Sequence, residues 1–499
     1  MVVAAIDAGT TGVRCMLVDK SGAVIGIGRE SWGCVTPSDL DIAKEIDTSL
    51  YWRKICQVTH EALKSGGKSS SNLEAIATTS QRMGMIILDA DGKELRGTPN
   101  IDARGALTQY VVEESVGDRF QELTGCWPPM MFAPARLAWF EEEESDVYEA
   151  IAHVLPISDW ITYRLCSAFV TDPSSASATG FLDVRSRKWS SDVVEALNLE
   201  MKILPEIHDA GAVVGEITTK AAKETGLPPG LPVVQGGADT QCALLAAETN
   251  VDEITIVAGS TAPMMLVTEK AVCTQGQKIW TGCHVVPSRW VLESNAGLTG
   301  SYIEWAVGFL CERSENLEQC VTDTLSNLSD IVAHVPPGSN ETYAALGPTI
   351  MDCHRFTDVR QAILSFPQPA LPQVTPLDSA SFLNAVLENI AYSARGNCEQ
   401  LEEQVKVSAI KTIGGMTKST VWGQLLANVL NRSIRIPDQS EGSLLGAAIC
   451  AAKGAGWFSD LMEASEAMVQ WHPPIEPDER ATRYKPYYSR WKEIWYRGD

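Results

Sequence analysis

The sequence predicts an α/β protein built from two related halves. Three observations carry that prediction. A strand–Gly–hydroxyl–strand unit opens the chain, a second copy follows half a chain later, and a third glycine pair stands at a strand-to-helix turn. The chain has 499 residues, and at about 150 residues per domain that allows three domains or two large ones. The two copies favour two.

The elements can be justified in order. Val2–Ile6 is an apolar, β-branched run, Gly9-Thr10-Thr11-Gly12 turns, Val13–Val18 is a second run, Lys20-Ser21-Gly22 turns again, and Ala23–Ile27 continues. This is a β-meander. In the second half Glu253–Val257 leads through Gly259-Ser260-Thr261 into Pro263–Val267. Ile6-Asp7-Ala8-Gly9-Thr10-Thr11 faces Ile256-Val257-Ala258-Gly259-Ser260-Thr261, and Met16-Leu17-Val18 faces Met265-Leu266-Val267. The copies differ at one chemical position, Asp7 against Val257, so only one half has a carboxylate there. The third loop, Gly414-Gly415-Met416, follows the run Ala409–Ile413. Thr417 is expected as a helix N-cap, because Val421, Trp422, Leu425, Leu426 and Val429 recur at helical spacing. Ser443–Ala452 reads as a small-residue helix able to pack beneath that loop. The boundary between halves falls near Ala247–Asp252. Glu141–Glu144 reads as a solvated helix face, Pro367–Pro376 as a loop, and the aromatic stretch Tyr484–Tyr496 as a helix packed on the body.

Composition narrows the function. Forty Lys and Arg stand against 63 Asp and Glu, net −23. Nucleic acid and anionic membrane would both be repelled. A small anionic ligand is not excluded, since glycine-rich loops hold phosphate with backbone N–H groups. The 13 Cys show no C-x-x-C pair and no disulfide-framework or zinc spacing, which is the expectation for a reducing compartment. Asp7 interrupts the first apolar run, there is no basic n-region, and no apolar run approaches the roughly 18 residues of a membrane span. The expected location is the cytoplasm.

The familiar hydrolase and P-loop patterns are missing. Gly67-Lys68-Ser69 lacks the first glycine of a P-loop, because position 62 is Ala. What remains is a pair of strand-terminal aspartates. Asp7 ends a strand and opens a Gly-Thr-Thr turn; Asp239 follows Pro232–Val234 and Gln235-Gly236-Gly237-Ala238. Phosphoryl transfer from ATP needs such parts: Mg²⁺ on the phosphates, N–H and hydroxyl donors around them, and a carboxylate to orient and deprotonate the acceptor. Asp7, next to Gly9-Thr10-Thr11, suits the metal side and Asp239 the base. A plain helix-capping role competes for Asp239.

Asp7-Ala8-Gly9-Thr10-Thr11, Gly236-Gly237-Ala238-Asp239, Gly259-Ser260-Thr261 and Gly414-Gly415-Met416, in this order and spacing, resemble the FGGY carbohydrate kinases. The resemblance covers nearly the whole chain. It implies two actin-like, ribonuclease H-like ATPase domains flanking a cleft: a substrate-binding domain over 1–247, an ATP-binding domain over 248–458, and a tail over 459–499 packing on the body. It implies ATP and Mg²⁺ as cofactors, Asp239 as catalytic base, and Asp7, Gly9, Thr10, Thr11 and Arg14 on the metal and phosphate side. Gly259, Ser260, Thr261, Gly414, Gly415 and Thr417 would contact ATP. Phe132–Trp139 resembles the first family signature, with Arg136 where Lys is usual. Phe382–Glu388 keeps only part of the second.

The resemblance also points to a substrate. Ser80-Gln81-Arg82-Met83-Gly84 occupies the place where xylulokinases carry a Gln-Met-His-Gly run, and Arg82 matches an arginine found in glycerol and autoinducer-2 kinases. Asn100–Arg104, Ile157–Trp160 and Asp352–Phe356 look most like the autoinducer-2 kinase branch. The expected substrate-binding set is Gln81, Arg82, Met83, Asp102, Arg104 and Asp239, of which Arg82, Asp102 and Arg104 supply donors and an acceptor for a small polyhydroxylated ligand. A salt bridge is the competing reading of Arg104. The expected partner is a small sugar or polyol, with neither nucleic acid nor membrane; family members are often dimers, which makes a homodimer one expectation. The resemblance thus implies an ATP-dependent kinase that transfers the γ-phosphate to a hydroxyl of a small sugar-like substrate, a short polyol-dione of the autoinducer-2 type or a ketopentose such as xylulose; a glycerol or other polyol kinase, and an inactive sugar or nucleotide sensor on the same fold, are the alternatives.

Overall fold

The computed structural model describes residues 1–37, 40–67, 72–358, 360–368 and 377–497. Lys68 and Ser69 of the P-loop-like triplet, and residues 369–376 of the proline-rich loop, lie outside the described residues. The chain forms two compact units. One holds Met1–Val251, Val267–Leu292 and Glu441–Gln470; the other holds Asp252–Leu266, Glu293–Ser440 and Trp471–Asp499.

Strands of the two large sheets are numbered in chain order. The first sheet uses β1 (Val2–Ala8), β2 (Gly12–Asp19), β3 (Val24–Ser31), β4 (Leu73–Ser80), β5 (Val213–Glu216) and β6 (Pro232–Ala238), in the order β5-β6-β4-β1-β2-β3. The opening meander of the sequence is therefore present. β1 runs antiparallel to β2 and parallel to β4, with Asp7 opposite Arg14 on one side and Thr79 on the other. Every residue of β1 is buried. That suits a central strand covered on both faces, where an unbroken apolar run replaces alternation. Val2, Ala4, Ile6 and Ala8 join a core with Tyr51, Ile55 and Val58 of the helix Thr48–Gly66. The helix Gly442–Gly454 packs across β1, β4 and β6.

The second sheet uses β7 (Glu253–Val257), β8 (Thr261–Thr268), β9 (Trp280–Cys283), β10 (Trp290–Leu298), β11 (Ala409–Ile413) and β12 (Ile434–Arg435), in the order β9-β10-β8-β7-β11-β12. β7 is antiparallel to β8 and parallel to β11. The run β3-β2-β1-β4-β6 thus matches β10-β8-β7-β11-β12 neighbour for neighbour. The repeat read from six residues extends to five of the six strands of each sheet, with Val257 at the place of Asp7.

The small-residue helix packs on the first sheet, where a Cβ on Gly446 would meet the Cys242 backbone and Ala447, Ala448 and Ala451 are fully buried. Two local expectations are corrected. The N-cap of the helix Thr420–Leu430 is Ser419, whose side chain accepts from the Trp422 N–H, while Thr417 sits in a short 3-10 turn. Cys311 and Cys320 form a disulfide, with Cα atoms 5.9 Å apart, while eleven cysteines are free. The turn between two helices brings that pair together: the Ser314 N–H donates to the Cys311 carbonyl at 2.8 Å, and the Asn316 side chain caps the second helix.

The tail divides. Leu461–Met468 belongs to the first unit and Ala481–Arg497 to the second. In the latter helix Trp491 is buried and its indole N–H donates to the Ala344 carbonyl at 3.0 Å and to Asn389 Oδ1 at 2.9 Å. No helix among the described residues is long and apolar enough to cross a membrane.

Candidate active site

The site of the first unit is built on three strand ends. β1 delivers Asp7, β4 leads into Gln81-Arg82-Met83, and β6 ends at Ala238, so that Asp239 becomes the first residue of the helix Asp239–Leu245. Parallel neighbours align these ends: Ala8 lies opposite Ser80, and Ser80 opposite Ala238. Side chains at the carboxyl ends of adjacent parallel strands converge on one edge of the sheet, where ligands of open α/β sheets bind.

Asp7 is almost fully buried, 3% exposed. Burial pushes its carboxyl up to about 7; Arg14 pulls it back, and the charges of Asp239 and Glu441 push it further. Its Oδ2 lies 3.6 Å from Arg14 Nη2, and its Oδ1 is buried with no hydrogen-bond partner. The turn that follows is fixed by its own backbone. The Gly9 N–H donates to the Gly12 carbonyl at 2.9 Å, and the Gly9 carbonyl accepts from the Trp32 indole at 2.9 Å and the Gln81 amide at 3.3 Å. The Asn100 amide donates to the Thr10 hydroxyl at 3.0 Å, and Thr11 is exposed.

A recess opens beside these strand ends. Ser80, Gln81, Arg82, Met83, Gly84 and Met85 line one side, with Ala133 and Pro156; Ser175, Ala178, Thr179 and Ala238 line the other. Met83 takes a left-handed backbone, φ 65°. That conformation is uncommon for a non-glycine residue and needs support from its surroundings. Arg136 supplies some: fully buried, it donates from Nη1 to the Met83 carbonyl at 2.7 Å and from Nη2 to the Met131 carbonyl at 3.1 Å. Arg82 Nε stands 4.0 Å from Asp239 Oδ1, and the Thr240 N–H donates to that same oxygen at 2.7 Å.

Asp102 and Arg104, expected among the substrate contacts, are not among the residues lining this recess. Both side chains are fully buried in an ion cluster. Arg104 Nε is 2.9 Å from Asp102 Oδ2, Arg104 Nη2 is 3.0 Å from Glu45 Oε1, and Arg136 Nε is 3.8 Å from Asp102 Oδ2. The Arg104 guanidinium lies over the rings of Trp139 and Phe140, 4.6 and 4.9 Å from their centroids. This cluster joins the Asn100–Arg104 segment to the helix Ala133–Glu143 that forms part of the recess wall.

Nine lining positions were not among the sequence candidates: Ser175, Ala178, Thr179, Ser80, Gly84, Met85, Ala133, Pro156 and Ala238. A signal for the first three existed. Asp172-Pro173-Ser174-Ser175 is a helix start, with Asp172 accepting from the Ser174 and Ser175 N–H groups and Pro at the first position. Glu441 had no such signal. Its carboxylate pairs with Arg14 through Oε2 and with Arg29 Nη2 at 3.0 Å through Oε1.

In the second unit the Gly259 N–H donates to the Thr261 carbonyl at 2.9 Å, and the Gly259 carbonyl accepts from Gly300 N–H and the Thr299 hydroxyl, both at 3.2 Å. Ser260 and Thr261 are exposed. Gly414 has φ 115°, and a Cβ there would stand 2.5 Å from the Ala258 carbonyl oxygen. Only glycine fits. The Met416 N–H donates to that same oxygen at 3.1 Å, while a Cβ on Gly415 would meet nothing within 4 Å. The Thr417 hydroxyl donates to the Gly414 carbonyl at 2.7 Å. Within this unit the loops Gly259–Thr261 and Gly414–Thr417 are therefore neighbours, linked through Ala258.

Metal chemistry must fit this donor set. Among the described residues no group of three or more His, Cys, Asp or Glu could cage an ion. One buried carboxylate with an unsatisfied oxygen fits Mg²⁺ in its usual kinase setting, held by one or two carboxylates together with nucleotide phosphates and water.

A doubled α/β sheet of matching strand order, with an aspartate closing a central strand in only one copy, is the architecture of two-domain carbohydrate kinases. The N-terminal and C-terminal domain models of the FGGY family of carbohydrate kinases match residues 2–246 and 254–455, and the chain belongs to that family. It is 30% identical to an autoinducer-2 kinase of Yersinia enterocolitica, over 98% of this chain and 93% of the relative. It is 28% identical to an autoinducer-2 kinase of Klebsiella pneumoniae over the same shares. A solved xylulose kinase from Rhodospirillum rubrum shares the fold with a TM-score of 0.83 at 24% identity, over 99% of this chain and 98% of that one. Family membership makes the chain an enzyme that phosphorylates a sugar hydroxyl with ATP as donor.

Proposed function

We propose that the chain phosphorylates a short, open-chain polyhydroxylated carbonyl compound of the autoinducer-2 type. The observation behind this reading is the Arg82–Asp239 pair at the recess, 4.0 Å apart. A carboxylate beside a fixed cation orients an acceptor hydroxyl and accepts its proton, while the guanidinium binds a neighbouring oxygen. Near-full-length similarity to autoinducer-2 kinases supports the same substrate class.

In this reading Asp239 is the catalytic base. Arg82, Gln81, Met83, Ser175 and Thr179 hold the substrate, and the buried cluster of Asp102, Arg104 and Arg136 keeps the wall in place. Gly9, Thr10, Thr11 and Arg14 serve the phosphates, with Asp7 as the carboxylate for Mg²⁺. Gly259, Ser260, Thr261, Gly414, Gly415 and Thr417 hold ATP, which supplies the phosphoryl group.

The test is ATP-dependent ADP release in a coupled assay across hydroxylated diones, ketopentoses, glycerol and longer polyols. The expected result is the highest kcat/KM with the hydroxylated dione. A ketopentose or glycerol leading by tenfold or more would replace the substrate class while leaving the kinase intact.

A further inference from the structure

Arg14 has carboxylates on two sides. Its Nη2 is 3.6 Å from Asp7 Oδ2, and its Nη1 is paired with Glu441 Oε2. Glu441 is the more firmly held of the two partners: its second oxygen is 3.0 Å from Arg29 Nη2, its side chain is only 12% exposed, and it stands at the start of the helix Gly442–Gly454, which is packed on β1 and β4. Arg14 itself is on β2, directly across from Asp7 in the antiparallel register. Three charged side chains, Asp7, Arg14 and Glu441, therefore sit in one row anchored on β1, β2 and a helix packed on the same sheet.

A flexible arginine loses rotamer entropy when a ligand fixes it, and a partner that fixes its planar fork in advance removes that cost from ligand binding. Asp7 alone cannot do this, because its nearer oxygen is beyond hydrogen-bond distance from Arg14. We infer that Glu441 is a positioning residue that holds the Arg14 guanidinium beside Asp7, ready for the phosphates of ATP. The inference rests on the reading of Asp7 and Arg14 as the phosphate side of the site. Glu441 touches neither reacting group; it acts through Arg14. Arg29 pairs with its second oxygen, so Glu441 is held by cations on both of its oxygens.

The test is a double-mutant cycle read in ATP affinity, by calorimetric titration of the full chain with ATP and Mg²⁺, with unfolding midpoints recorded for each variant. Arg14→Met weakens ATP binding ~tenfold in the otherwise wild-type chain and less than ~threefold in Glu441→Gln, because there the arginine is no longer prearranged. A merely structural Glu441 would lower the unfolding midpoint and leave the Arg14→Met effect the same in both backgrounds, which overturns the inference while the reading of Arg14 stands. No effect of Arg14→Met in either background removes that reading, and the inference with it. Should Glu441→Gln not fold, Glu441→Asp keeps the charge but withdraws it by one methylene, and the same cycle is run with it. In the assay of kinase turnover, Glu441→Asp retains more activity than Glu441→Gln.

Discussion

Gly446 lies against the backbone of Cys242: a Cβ placed on it would stand 2.0 Å from the Cys242 carbonyl oxygen and 2.4 Å from its carbonyl carbon. Cys242 belongs to the helix Asp239–Leu245, which begins with the proposed base. The contact sets how closely the helix Gly442–Gly454 approaches it. Backbone atoms cannot move aside as a side-chain tip can. Gly446→Ala therefore destabilises the chain by about 1–3 kcal/mol through overpacking, read as a lower urea midpoint. It also lowers turnover, by displacing the helix that carries Asp239. A wild-type midpoint with wild-type turnover would show that the two helices separate at little cost.

Asp239→Asn keeps the shape of the side chain and removes its capacity to accept a proton. Turnover falls by at least ~10², the lower end of a general base's contribution, while the ATP dissociation constant stays within about twofold. Steady-state kinetics paired with calorimetry checks both halves. Turnover within threefold of wild type would take Asp239 out of the chemistry and leave it as a helix-start residue.

The ion cluster around Asp102 makes a different prediction. Removing one partner of a buried pair leaves an uncompensated charge and costs about 3–5 kcal/mol. Asp102→Ala, which leaves the buried guanidinium of Arg104 with Glu45 as its one carboxylate partner in the cluster, lowers stability by up to that amount in urea unfolding. If stability held and only the sugar KM rose, Asp102 would belong among the substrate contacts.

Glu388 links the degenerate second signature to pH. It is buried on the helix Ser379–Glu402 and accepts from the Gly338 N–H at 2.9 Å and the Ser339 hydroxyl at 3.0 Å. Burial raises its carboxyl from 4.5 to about 8, against the pull of those bonds. The folded chain therefore holds a proton there that the unfolded chain releases above 4.5. The contribution to stability is fully present below 4.5 and is lost as pH rises to about 8. Glu388→Gln cannot titrate, so its midpoint declines less than that of wild type between pH 5 and 8.5. Parallel pH profiles of the two proteins would assign the dependence to other groups.

Much of the site was legible because its signals are local. A strand that ends in Asp and turns on Gly-Thr-Thr needs only its own residues to be recognised, and so does an aspartate at a strand-to-helix junction. Asp7 and Asp239 became candidates in this way; Arg82 became one through the family resemblance, and its Nε stands 4.0 Å from Asp239 Oδ1. The surroundings of Arg104 were not legible, for the opposite reason. Its charge is visible in the sequence, but Glu45, Trp139 and Phe140, which enclose it, come from distant segments.

The sequence alone determined the α/β class, the doubled strand–glycine unit, the family, and which carboxylates are candidates for chemistry, since strand period and turn residues are short-range properties. Only the tertiary structure decided that the helix Gly442–Gly454 returns to the first sheet, that Glu441 meets Arg14, and that Asp102 and Arg104 form a buried pair. Those outcomes depend on which faces exclude water together. Burial turns a side chain's charge from a surface property into a demand for a partner, and the partner's identity is fixed by packing across hundreds of residues.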